Sequence, residues 1–426
     1  MKKPSSRRPV NVFAGGSLAG VIERSSSGDD VFSYSYAENR SPDCAVSLTM
    51  EVGPDRFDSM GGLLPIFEMN LPEGILKERL RKDFAKAIQH FDDLDLLAIV
   101  GESQIGRLRY SQQRKLSGGI PTQSVREILT YRGAADLFED LLRRFSRYSG
   151  VSGVQPKVLV RDDERLPPRV TQAGATHIVK AFDPREFPEL AANELLSTQG
   201  ARAAGIETPK IALSENRNIL SVERFDLLPD GRYLGIEDFC VLDARRSHGR
   251  YDGSYEKIAQ RIGQFVSAEQ RVRALDQYAA MVAYSCAIEN GDAHLKNFSV
   301  IYESPSGEVR LSPAYDLVCT TVYFASDTLA LTLNGTKRFP GRAELVKFIR
   351  GITAYRPARV AELLDRVAQG VQSAIDAALT MARDEKAMQP FADRYIAALN
   401  RGMTRCLLDD SRKISLPPSR RKKSHN

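Results

Sequence analysis

A dense polar segment, ENGDAHLKNFSV (residues 289–300), lies between a long helical pattern and a short apolar strand in this chain. Two acids, a histidine, a lysine and two asparagines share its first nine positions. Polar groups are costly to bury unless each finds a hydrogen bond or an opposite charge. A fold that buries the following strand must therefore place this segment at the edge of its core, where a ligand can satisfy the polar groups.

The elements around the polar segment predict how it is held. The preceding pattern, residues 268–289, has apolar residues at helical spacing and stops at the Asn-Gly pair that follows, so Asp292 emerges at the end of a rigid helix. These apolar residues are Val272, Leu275, Ala279, Val282 and Cys286. The following stretch, NFSVIYESPSGEVRLSPAYD, predicts two strands joined by a turn at 305–307. Such a hairpin can bring Asp316 beside Asp292.

Asp292, Asn297 and Asp316 together predict a magnesium–phosphate site. Mg²⁺ prefers oxygen ligands and is usually held by one or two carboxylates together with phosphates, and Asn297 and Asp316 can supply such oxygens. Asp292, left free, can orient an attacking hydroxyl and accept its proton, while Lys296 can neutralise the transferred phosphoryl group. The alternative is a capping loop, in which Asp and Asn only satisfy helix-end amides. His294 is predicted to be a hydrogen-bonded structural group rather than the base.

Two upstream features extend this prediction. Lys180 lies in the apolar strand HIVKAF with its neighbours on the opposite face, so its ammonium group faces a cleft and needs an anionic partner such as Glu194. The pair of Lys180 and Glu194 would position phosphates as in protein kinases. The alternative is that Lys180 lies on an edge strand and prevents aggregation there. The glycines of SGVSGVQPK, which ends at Lys157, can bring backbone amides against phosphates, although the Walker A pattern is absent.

Length and the order of elements predict a bilobal fold, because 426 residues are too many for a single core. We expect an α+β, protein-kinase-like fold: a small subdomain at 1–110, a β-rich N-terminal lobe at 111–235, an all-helical C-terminal lobe with one inserted hairpin at 236–410, and a basic disordered tail at 411–426. The helices predicted in the C-terminal lobe are 255–266, 268–289, 342–353, 357–384 and 386–408. The small subdomain should open with two short strands around a Gly-Gly turn, followed by a helix at 73–88.

Composition excludes several classes of protein. No apolar run approaches the roughly 20 residues that cross a bilayer, and the basic N-terminus has no apolar signal core, so a cytoplasmic protein without a membrane partner is expected. Five widely spaced cysteines without a C-x-x-C pair favour reduced packing residues over a zinc site. The net charge of +6 lies partly in the two basic ends, which predict solvated tails or a weak attraction to nucleic acid.

The ordered motifs resemble the HipA family, whose members are Ser/Thr kinase toxins of bacterial type II toxin–antitoxin pairs. The motifs that carry the resemblance are SGVQPK (152–157), HIVKAF (177–182), NELLSTQGARAAGIETP (193–209), VERFD (222–226), NGDAHLKNFSV (290–300) and LSPAYDL (311–317). In addition, LPIFEMNLPEG (64–74) is similar to the small domain that precedes the kinase in this family. The resemblance therefore covers nearly the whole chain and implies a HipA-like fold.

This resemblance implies ATP and Mg²⁺ as cofactors and a role for each matched residue. Asp292 would be the catalytic base, and Asn297 and Asp316 would be the Mg²⁺ ligands at the ATP site. The other residues implied in ATP binding are Ser152, Gly153, Val154, Gln155, Pro156, Lys157, Lys180, Glu223, Arg224, Phe225, His294, Lys296 and Tyr315. Within this set the glycine loop would hold phosphates, and the segment 223–225 would hold adenine.

The family also implies partners and a biological role. Its members phosphorylate a serine of an aminoacyl-tRNA synthetase, notably the glutamyl enzyme, which halts translation and produces growth arrest and persistence. They are neutralised by a DNA-binding HipB-like antitoxin, and the pair binds its operator, so contact with DNA would be indirect. Where the family often carries an autophosphorylated serine this chain has Gly150, and the candidate acceptors are Ser152 and Ser149. The alternative is that neither serine is modified.

Two other functions remain open from the residues alone. A small-molecule phosphotransferase, acting on an antibiotic or a sugar, would have a similar lobe order but would need an acidic pocket for cationic drugs. A catalytically silent partner of a DNA-binding repressor would usually have lost part of the catalytic set. That set, Lys180, Asp292, Asn297 and Asp316, is complete here.

Overall fold

The computed structural model describes residues 8–25, 31–84, 91–116, 122–131, 137–150, 157–162 and 174–408. Five residues of the predicted glycine loop lie outside these ranges, namely Ser152, Gly153, Val154, Gln155 and Pro156. The predicted basic tail at 411–426 lies outside them as well. What the sequence predicts for these residues therefore stays a prediction.

The described residues of the N-terminal domain form an antiparallel sheet with helices packed on it. The strands are β1 (Val10–Ala14), β2 (Ser17–Arg24), β3 (Val31–Tyr36), β4 (Arg56–Met60) and β5 (Leu108–Ser111), in the order β4-β3-β2-β1-β5. The helices are α1 (Pro65–Glu68), α2 (Gly74–Phe84) and α3 (Asp93–Val100). Gly15 and Gly16 reverse the chain between β1 and β2 with φ of +57° and +86°, left-handed angles that favour glycine. The predicted pair of strands is confirmed, and the helix predicted from residue 73 begins at Gly74.

A second antiparallel sheet follows. Helices α4 (Val125–Thr130) and α5 (Leu137–Phe145) precede it, in a region where the sequence analysis assigns no element. The strands and the helix between them are β6 (Lys157–Val160), β7 (His177–Ala181), α6 (Leu190–Ala203), β8 (Ile211–Leu213) and β9 (Ile219–Glu223). The strand order is β6-β7-β9-β8. The predicted strand HIVKAF is confirmed as β7, and Glu194 lies on α6, as predicted.

The last part of the chain is helical and carries a small sheet. Its helices are α7 (Phe239–Leu242), α8 (Tyr255–Phe265), α9 (Ala268–Ala287), α10 (Arg342–Thr353), α11 (Pro357–Asp384) and α12 (Gln389–Cys406), which confirms the predicted helices. The predicted hairpin is confirmed as β11 (Ser299–Tyr302) and β12 (Val309–Leu311), and β10 (Gly235–Asp238) pairs with β11 as a third strand. Strand β10 was not predicted, because its four residues are too few to show the alternation of side chains that is typical of a strand. Short 3₁₀ turns are Pro42–Cys44, Ser146–Tyr148, Ser247–Gly249, Leu295–Asn297, Thr320–Val322 and Lys386–Met388.

Helix α9 is buried over its second half. Residues 268–277 are mostly exposed or partly exposed, and Val272, which the sequence analysis placed on the apolar face, has 72% of its surface exposed. That assignment was wrong because the first half of the helix extends beyond the core. Neither α9 nor any other helix in the described part of the chain is long and apolar enough to cross a bilayer.

Apolar contacts join the N-terminal domain to the second sheet. One buried cluster contains Tyr34, Phe67 and Tyr110 from the N-terminal domain together with Val158 of β6 and Val179 of β7. Another cluster fills the helical lobe and includes side chains of α6. The N-terminal domain therefore shares its core with the second sheet, and α6 links that sheet to the helices.

Helices α6 and α11 approach closely at two glycines. A Cβ atom added to Gly200 would lie 2.3 Å from the Tyr284 hydroxyl oxygen and 2.8 Å from the Ala374 Cβ. A Cβ atom added to Gly370 would lie 2.5 Å from the Gly200 carbonyl oxygen. This contact fixes α6, and with it Glu194, against the helical lobe.

The close approach of α6 and α11 gives the first prediction. Gly200→Ala should lower the free energy of unfolding by about 1–3 kcal/mol, because the added methyl group has no space. Gly351→Ala is the matched control on the exposed face of α10, where an added Cβ would meet no atom within 4 Å, and it should raise that free energy by about 0.5–1 kcal/mol. Urea denaturation measures both. A Gly200→Ala protein as stable as the unmodified chain would contradict the close packing.

Candidate active site

A cavity of about 580 Å³ lies between the second sheet and the helical lobe. Both lobes line it, and so do all the predicted site residues that the structure describes, apart from Ser149. These residues are Lys157, Lys180, Glu194, Glu223, Arg224, Phe225, Asp292, His294, Lys296, Asn297, Tyr315 and Asp316. These residues, although up to 159 positions apart in sequence, therefore come together around one cavity.

Lys180 lies at the centre of a buried ionic network. Its side-chain nitrogen lies 2.5 Å from Glu194 Oε1 on α6 and also contacts Asp316 Oδ1, on the loop after β12. Only 4% of the Lys180 surface is exposed. Lys157 lies opposite Lys180 across the β6–β7 ladder, so the two ammonium groups share one face of the sheet. Two cations and two carboxylates thus balance in charge at the floor of the cavity.

Burial and pairing act in opposite directions on these groups. Burial disfavours the charged form of Lys180, but the charges of Asp316 and Glu194 outweigh it and raise the pKa of the lysine. Burial alone would raise the pKa of Asp316, yet Lys180 and Lys157 lower it below its usual range. Burial raises the pKa of Glu194 and lowers that of Lys157. Pairing therefore favours the charged forms of both Lys180 and Asp316 at neutral pH.

Asn297 and Asp316 present oxygen atoms suited to a hard cation. Asn297 is 93% buried, and its Oδ1 atom has no hydrogen-bond partner in the described part of the chain. A buried acceptor without a partner is costly, which points to a ligand that it would bind. The described residues contain no group of three or more His, Cys, Asp or Glu side chains that could hold a metal ion. A cation here would need phosphate oxygens as further ligands, and Mg²⁺ fits that requirement.

Asp292 projects from a tight turn at the mouth of the cavity. Its amide donates to Asn290 Oδ1 over 3.0 Å, and its carbonyl oxygen accepts from the His294 amide over 2.8 Å. The carboxylate is 56% exposed, and Oδ1 accepts a hydrogen bond from the Tyr251 hydroxyl at 2.8 Å. Burial and the Asp292 charge raise the pKa of Tyr251 to about 12, so the phenol stays a donor. The turn leaves the second carboxylate oxygen available to a substrate.

The end of α9 differs from the prediction. The helix ends at Ala287, and Glu289, rather than the glycine of the Asn-Gly pair, takes the left-handed φ of +53°. Gly291 is required for another reason, because a Cβ atom there would lie 2.0 Å from Asp327 Oδ2. The Gly291 amide donates to Thr320 Oγ1 over 2.8 Å. The turn that presents Asp292 is therefore packed closely against the segment at 320–327.

Glu289 anchors the same turn to the C-terminal helix. Its buried carboxylate accepts hydrogen bonds from Thr321 Oγ1 at 2.7 Å, from Arg401 at 2.6 Å and from Arg405 at 2.7 Å. Burial raises the pKa of Glu289, but these donors outweigh it and lower the pKa overall. The polar segment is thus held by α12 on the side away from the cavity.

His294 and Lys296 line the cavity in different ways. Burial lowers the pKa of His294 and keeps the ring neutral near pH 7. Its Nδ1 atom has no hydrogen-bond partner among the described residues, and its ring meets the Tyr251 ring edge-on at 5.1 Å between centroids. The Lys296 ammonium group instead pairs with Glu73 of the N-terminal domain and lies 3.2 Å from Ser247 Oγ.

Aromatic and apolar side chains also line the cavity. Phe225 and Tyr315 stack with ring centroids 6.0 Å apart and an interplanar angle of 24°. The Tyr315 hydroxyl donates to the Lys296 carbonyl oxygen over 2.8 Å. Apolar neighbours that line the same cavity include Ile178, Leu190, Ile211, Val222 and Val318. A flat apolar ring such as a purine base can pack against side chains of this kind.

Glu223 and Arg224 offer less to a ligand than their neighbours do. The Arg224 guanidinium binds Asp226 in a buried ion pair at 2.5 Å and donates to the Gln104 carbonyl oxygen at 2.9 Å. The amides of Glu223 and Arg224 donate to other carbonyl oxygens of the backbone, at 2.8 and 2.9 Å. Glu223 pairs with Lys210 at 3.6 Å. The Arg224 side chain is therefore turned into the domain interface, although the residue lines the cavity.

The chain matches the family model of the HipA N-terminal domain over residues 10–111 and that of the HipA-like C-terminal domain over residues 149–375. The second match alone spans more than half of the chain. The chain belongs to the HipA family. The fold expected from the resemblance is thereby confirmed, since both domains of the family are present in the expected order.

Relatives of this HipA-family chain carry kinase names. The Sinorhizobium fredii protein "Putative kinase Y4mE" is 28% identical over 339 residues, which are 74% of this chain and 78% of the relative. "Putative kinase Y4dM" from the same organism is 30% identical over 181 residues, which are 39% of this chain and 42% of the relative. This chain thus matches less than half the length of Y4dM.

A solved structure shares the fold. It is the Shewanella oneidensis MR-1 toxin–antitoxin complex of HipA, HipB and operator DNA, in which the matching chain has a TM-score of 0.67 at 17% identity. The match covers 92% of this chain and 97% of that chain. The bilobal HipA-like architecture is confirmed by this likeness.

Gly150, which the sequence analysis singled out, has little space for a side chain. A Cβ atom on Gly150 would lie 2.0 Å from Gln104 Nε2, and the Gly150 amide donates to the Ser103 carbonyl oxygen over 2.9 Å. The Ser149 hydroxyl is buried, donates to the Phe145 carbonyl oxygen at 2.7 Å and accepts from the Leu159 amide at 2.9 Å. In this conformation Ser149 serves the turn, while autophosphorylation of either serine stays a prediction.

Three site residues of this HipA-family chain escaped the sequence analysis: Tyr251, Glu73 and Glu289. Each acts across a long sequence separation, for example 223 positions between Glu73 and Lys296. A partial signal exists for Glu289, since Arg401 and Arg405 are four positions apart on one helical face. Tyr251 and Glu73 lie in turns whose local pattern carries no such signal.

The buried network predicts a pH-dependent stability defect. Lys180→Met should lower the free energy of unfolding by about 3–5 kcal/mol at pH 7, because Glu194 is left buried without its cation. The raised pKa of Glu194 lets the folded protein take up a proton as pH falls, so the defect should shrink toward pH 5. The control Lys180→Met/Glu194→Gln should recover much of the loss and show little change with pH. Urea denaturation at pH 7 and pH 5 measures both variants. An equal loss of unfolding free energy in the single and the double variant would contradict the pairing of Lys180 with Glu194.

Proposed function

We propose that this chain is an ATP- and Mg²⁺-dependent serine/threonine protein kinase that acts as a growth-arrest toxin. One arrangement supports the proposal. A buried lysine that contacts two carboxylates lines the same cavity as an amide oxygen without a hydrogen-bond partner among the described residues, and an exposed carboxylate lies at the mouth of that cavity. These groups belong to Lys180, Glu194, Asp316, Asn297 and Asp292. Family membership and the kinase names of relatives agree with this reading.

The residues of the cavity floor would hold the nucleotide. Lys180 and Lys157 present positive charge for the phosphates, and Glu194 keeps Lys180 in place. Asn297 and Asp316 would hold Mg²⁺. A bound Mg²⁺ supplies charge neutralisation at the transferred phosphoryl group. Phe225 and the apolar side chains that line the cavity would hold the base.

Asp292 would act as the general base. Its carboxylate accepts the proton of the substrate hydroxyl while the hydroxyl oxygen bonds to the γ-phosphorus and the bond from that phosphorus to the ADP oxygen breaks. Tyr251 donates to one carboxylate oxygen and so fixes the orientation of the other. Burial lowers the pKa of His294, and its Nε2 atom lies 4.0 Å from the same carboxylate, beyond hydrogen-bond distance.

The exposure of Asp292 suits a protein hydroxyl as the acceptor. The Asp292 carboxylate is exposed, so the acceptor can belong to a large molecule. By the family resemblance we propose a serine of an aminoacyl-tRNA synthetase, glutamyl-type, as the substrate, with inhibition of translation as the consequence.

A DNA-binding antitoxin is the proposed partner. The chain shares the fold of a protein solved in complex with HipB and operator DNA. A HipB-like antitoxin would neutralise this chain, and contact with operator DNA would be indirect, through the antitoxin.

Two substitutions separate binding from transfer. Asp292→Asn should leave Mg-ATP affinity unchanged but lower phosphate transfer by about 100-fold or more, because the base is lost. Asp316→Asn should lose the Mg²⁺-dependent part of the ATP affinity together with the activity. Calorimetry with and without Mg²⁺ measures the affinity. Labelled ATP with bacterial lysate, followed by phosphoamino-acid analysis, measures the transfer.

Several outcomes would count against the proposal. Transfer by Asp292→Asn within tenfold of the unmodified chain would remove Asp292 from the role of base. Label that appears only on small molecules would favour the phosphotransferase alternative. Growth arrest on expression that survives Asp292→Asn would show that toxicity does not need catalysis.

A further inference from the structure

A carboxylate of the N-terminal domain reaches the polar segment of the active site. Glu73 precedes α2, and its Oε1 atom accepts a hydrogen bond from the Lys296 ammonium group. Its Oε2 atom accepts from Arg250 Nη1 at 2.8 Å. Lys296 and Arg250 line the cavity, and Glu73 lies behind them. One side chain of a separate domain therefore holds two cations of the active-site wall.

The segment 246–251 is attached to the N-terminal domain along its length. The Arg246 guanidinium donates to the carbonyl oxygens of Gly61, at 3.0 Å, and of Leu63, at 3.3 Å. The Ser247 amide donates to Glu68 Oε2 at 3.2 Å, one turn before the Arg250–Glu73 pair. The segment thus follows the surface of the N-terminal domain from the end of α7 to the mouth of the cavity.

The same segment contacts the proposed base. Tyr251 donates to Asp292 Oδ1, and the Arg250 carbonyl oxygen accepts from the Leu295 amide at 3.1 Å. Arg250 also stacks its guanidinium 5.5 Å from the centroid of the Tyr251 ring. Glu73 consequently fixes the polar segment from two sides, through Lys296 within it and through Arg250 beside it.

Charge makes this contact necessary. Lys296 has 10% of its side chain exposed, and Arg250 has 20%. Two poorly hydrated cations that share one carboxylate would repel each other without it. Without the Glu73 charge, Lys296 and Arg250 would lose the carboxylate that holds both of them, and the polar segment that presents Asp292 would shift with them.

We infer that Glu73 is a positioning residue for the phosphate-transfer step, so that the kinase lobes reach their full rate only with the N-terminal domain docked. This inference rests on the proposed function. Glu73 acts through Lys296 and Arg250 rather than on the nucleotide, so it should affect kcat and leave the KM for ATP unchanged.

The test compares Glu73→Gln with Glu78→Gln in the full chain. Both variants remove one negative charge near α2, but the Glu78 side chain is exposed on that helix. Glu73→Gln should lower kcat by about 10- to 100-fold, as expected for a misplaced catalytic group, with a KM for ATP within about twofold of the unmodified chain. Glu78→Gln should match the unmodified chain in both constants. An unchanged kcat, or a raised KM with kcat unchanged, would overturn the positioning role.

Hydrogen exchange tests the coupling without any turnover. In Glu73→Gln the amides of 246–251 and 290–297 should exchange faster than in the unmodified chain, while strands β1 and β2 keep their protection. Glu78→Gln should leave both segments unchanged. Faster exchange in a chain that transfers no phosphate would support the coupling and reject the proposed function. Unchanged exchange in both segments would reject the coupling itself.

Discussion

The ammonium group of Lys180 joins three separate parts of the chain through two carboxylates. It projects from β7, Glu194 from α6, and Asp316 from the loop after β12. A charge so deeply buried is tolerated only when it is paired, so the sheet, the helix and the loop have to meet at this point. These contacts of Lys180 set the position of the cavity. They also set the separation of its walls and the direction of its oxygen atoms.

Other paired carboxylates hold the parts of the chain around this centre. Glu289 ties the polar segment to α12, and Glu73 ties it to the N-terminal domain. Glu237 on β10 accepts from Ser47 Oγ at 2.5 Å and from the Tyr302 hydroxyl at 2.7 Å, which fixes the N-terminal domain on the small sheet. Each of these acids joins elements that are distant in sequence. The active-site cavity is therefore a product of the whole chain rather than of one lobe.

Much of this arrangement could be predicted because its signals are local. Lys180 interrupts an apolar strand, which by itself indicates a paired and buried ammonium group. The helices of the C-terminal lobe repeat with a period that a sequence shows directly. Asp292, Asn297 and Asp316 flank a predicted hairpin, and the hairpin explains why they converge.

The parts of the site that were not predicted depend on contacts between distant residues, which no local sequence pattern encodes. The pairing of Glu73 with Lys296 requires the N-terminal domain to be docked, and the hydrogen bond from Tyr251 to Asp292 joins residues 41 positions apart. The lack of space at Gly150 also comes from a contact with the N-terminal domain, because a Cβ atom there would meet the side chain of Gln104. Val272 was misplaced because periodicity gives the face of a helix but not how far the helix extends beyond its core.

The central claim is that Asn297 and Asp316 hold a magnesium ion against phosphates anchored by Lys180. A crystal structure of the chain with Mg²⁺ and a non-hydrolysable ATP analogue tests it most directly. The account predicts one ion about 2.0–2.1 Å from Asn297 Oδ1 and from an Asp316 carboxylate oxygen, with Lys180 in contact with a phosphate. A nucleotide bound outside this cavity, or an ion that leaves Asn297 Oδ1 without a ligand, would contradict the account.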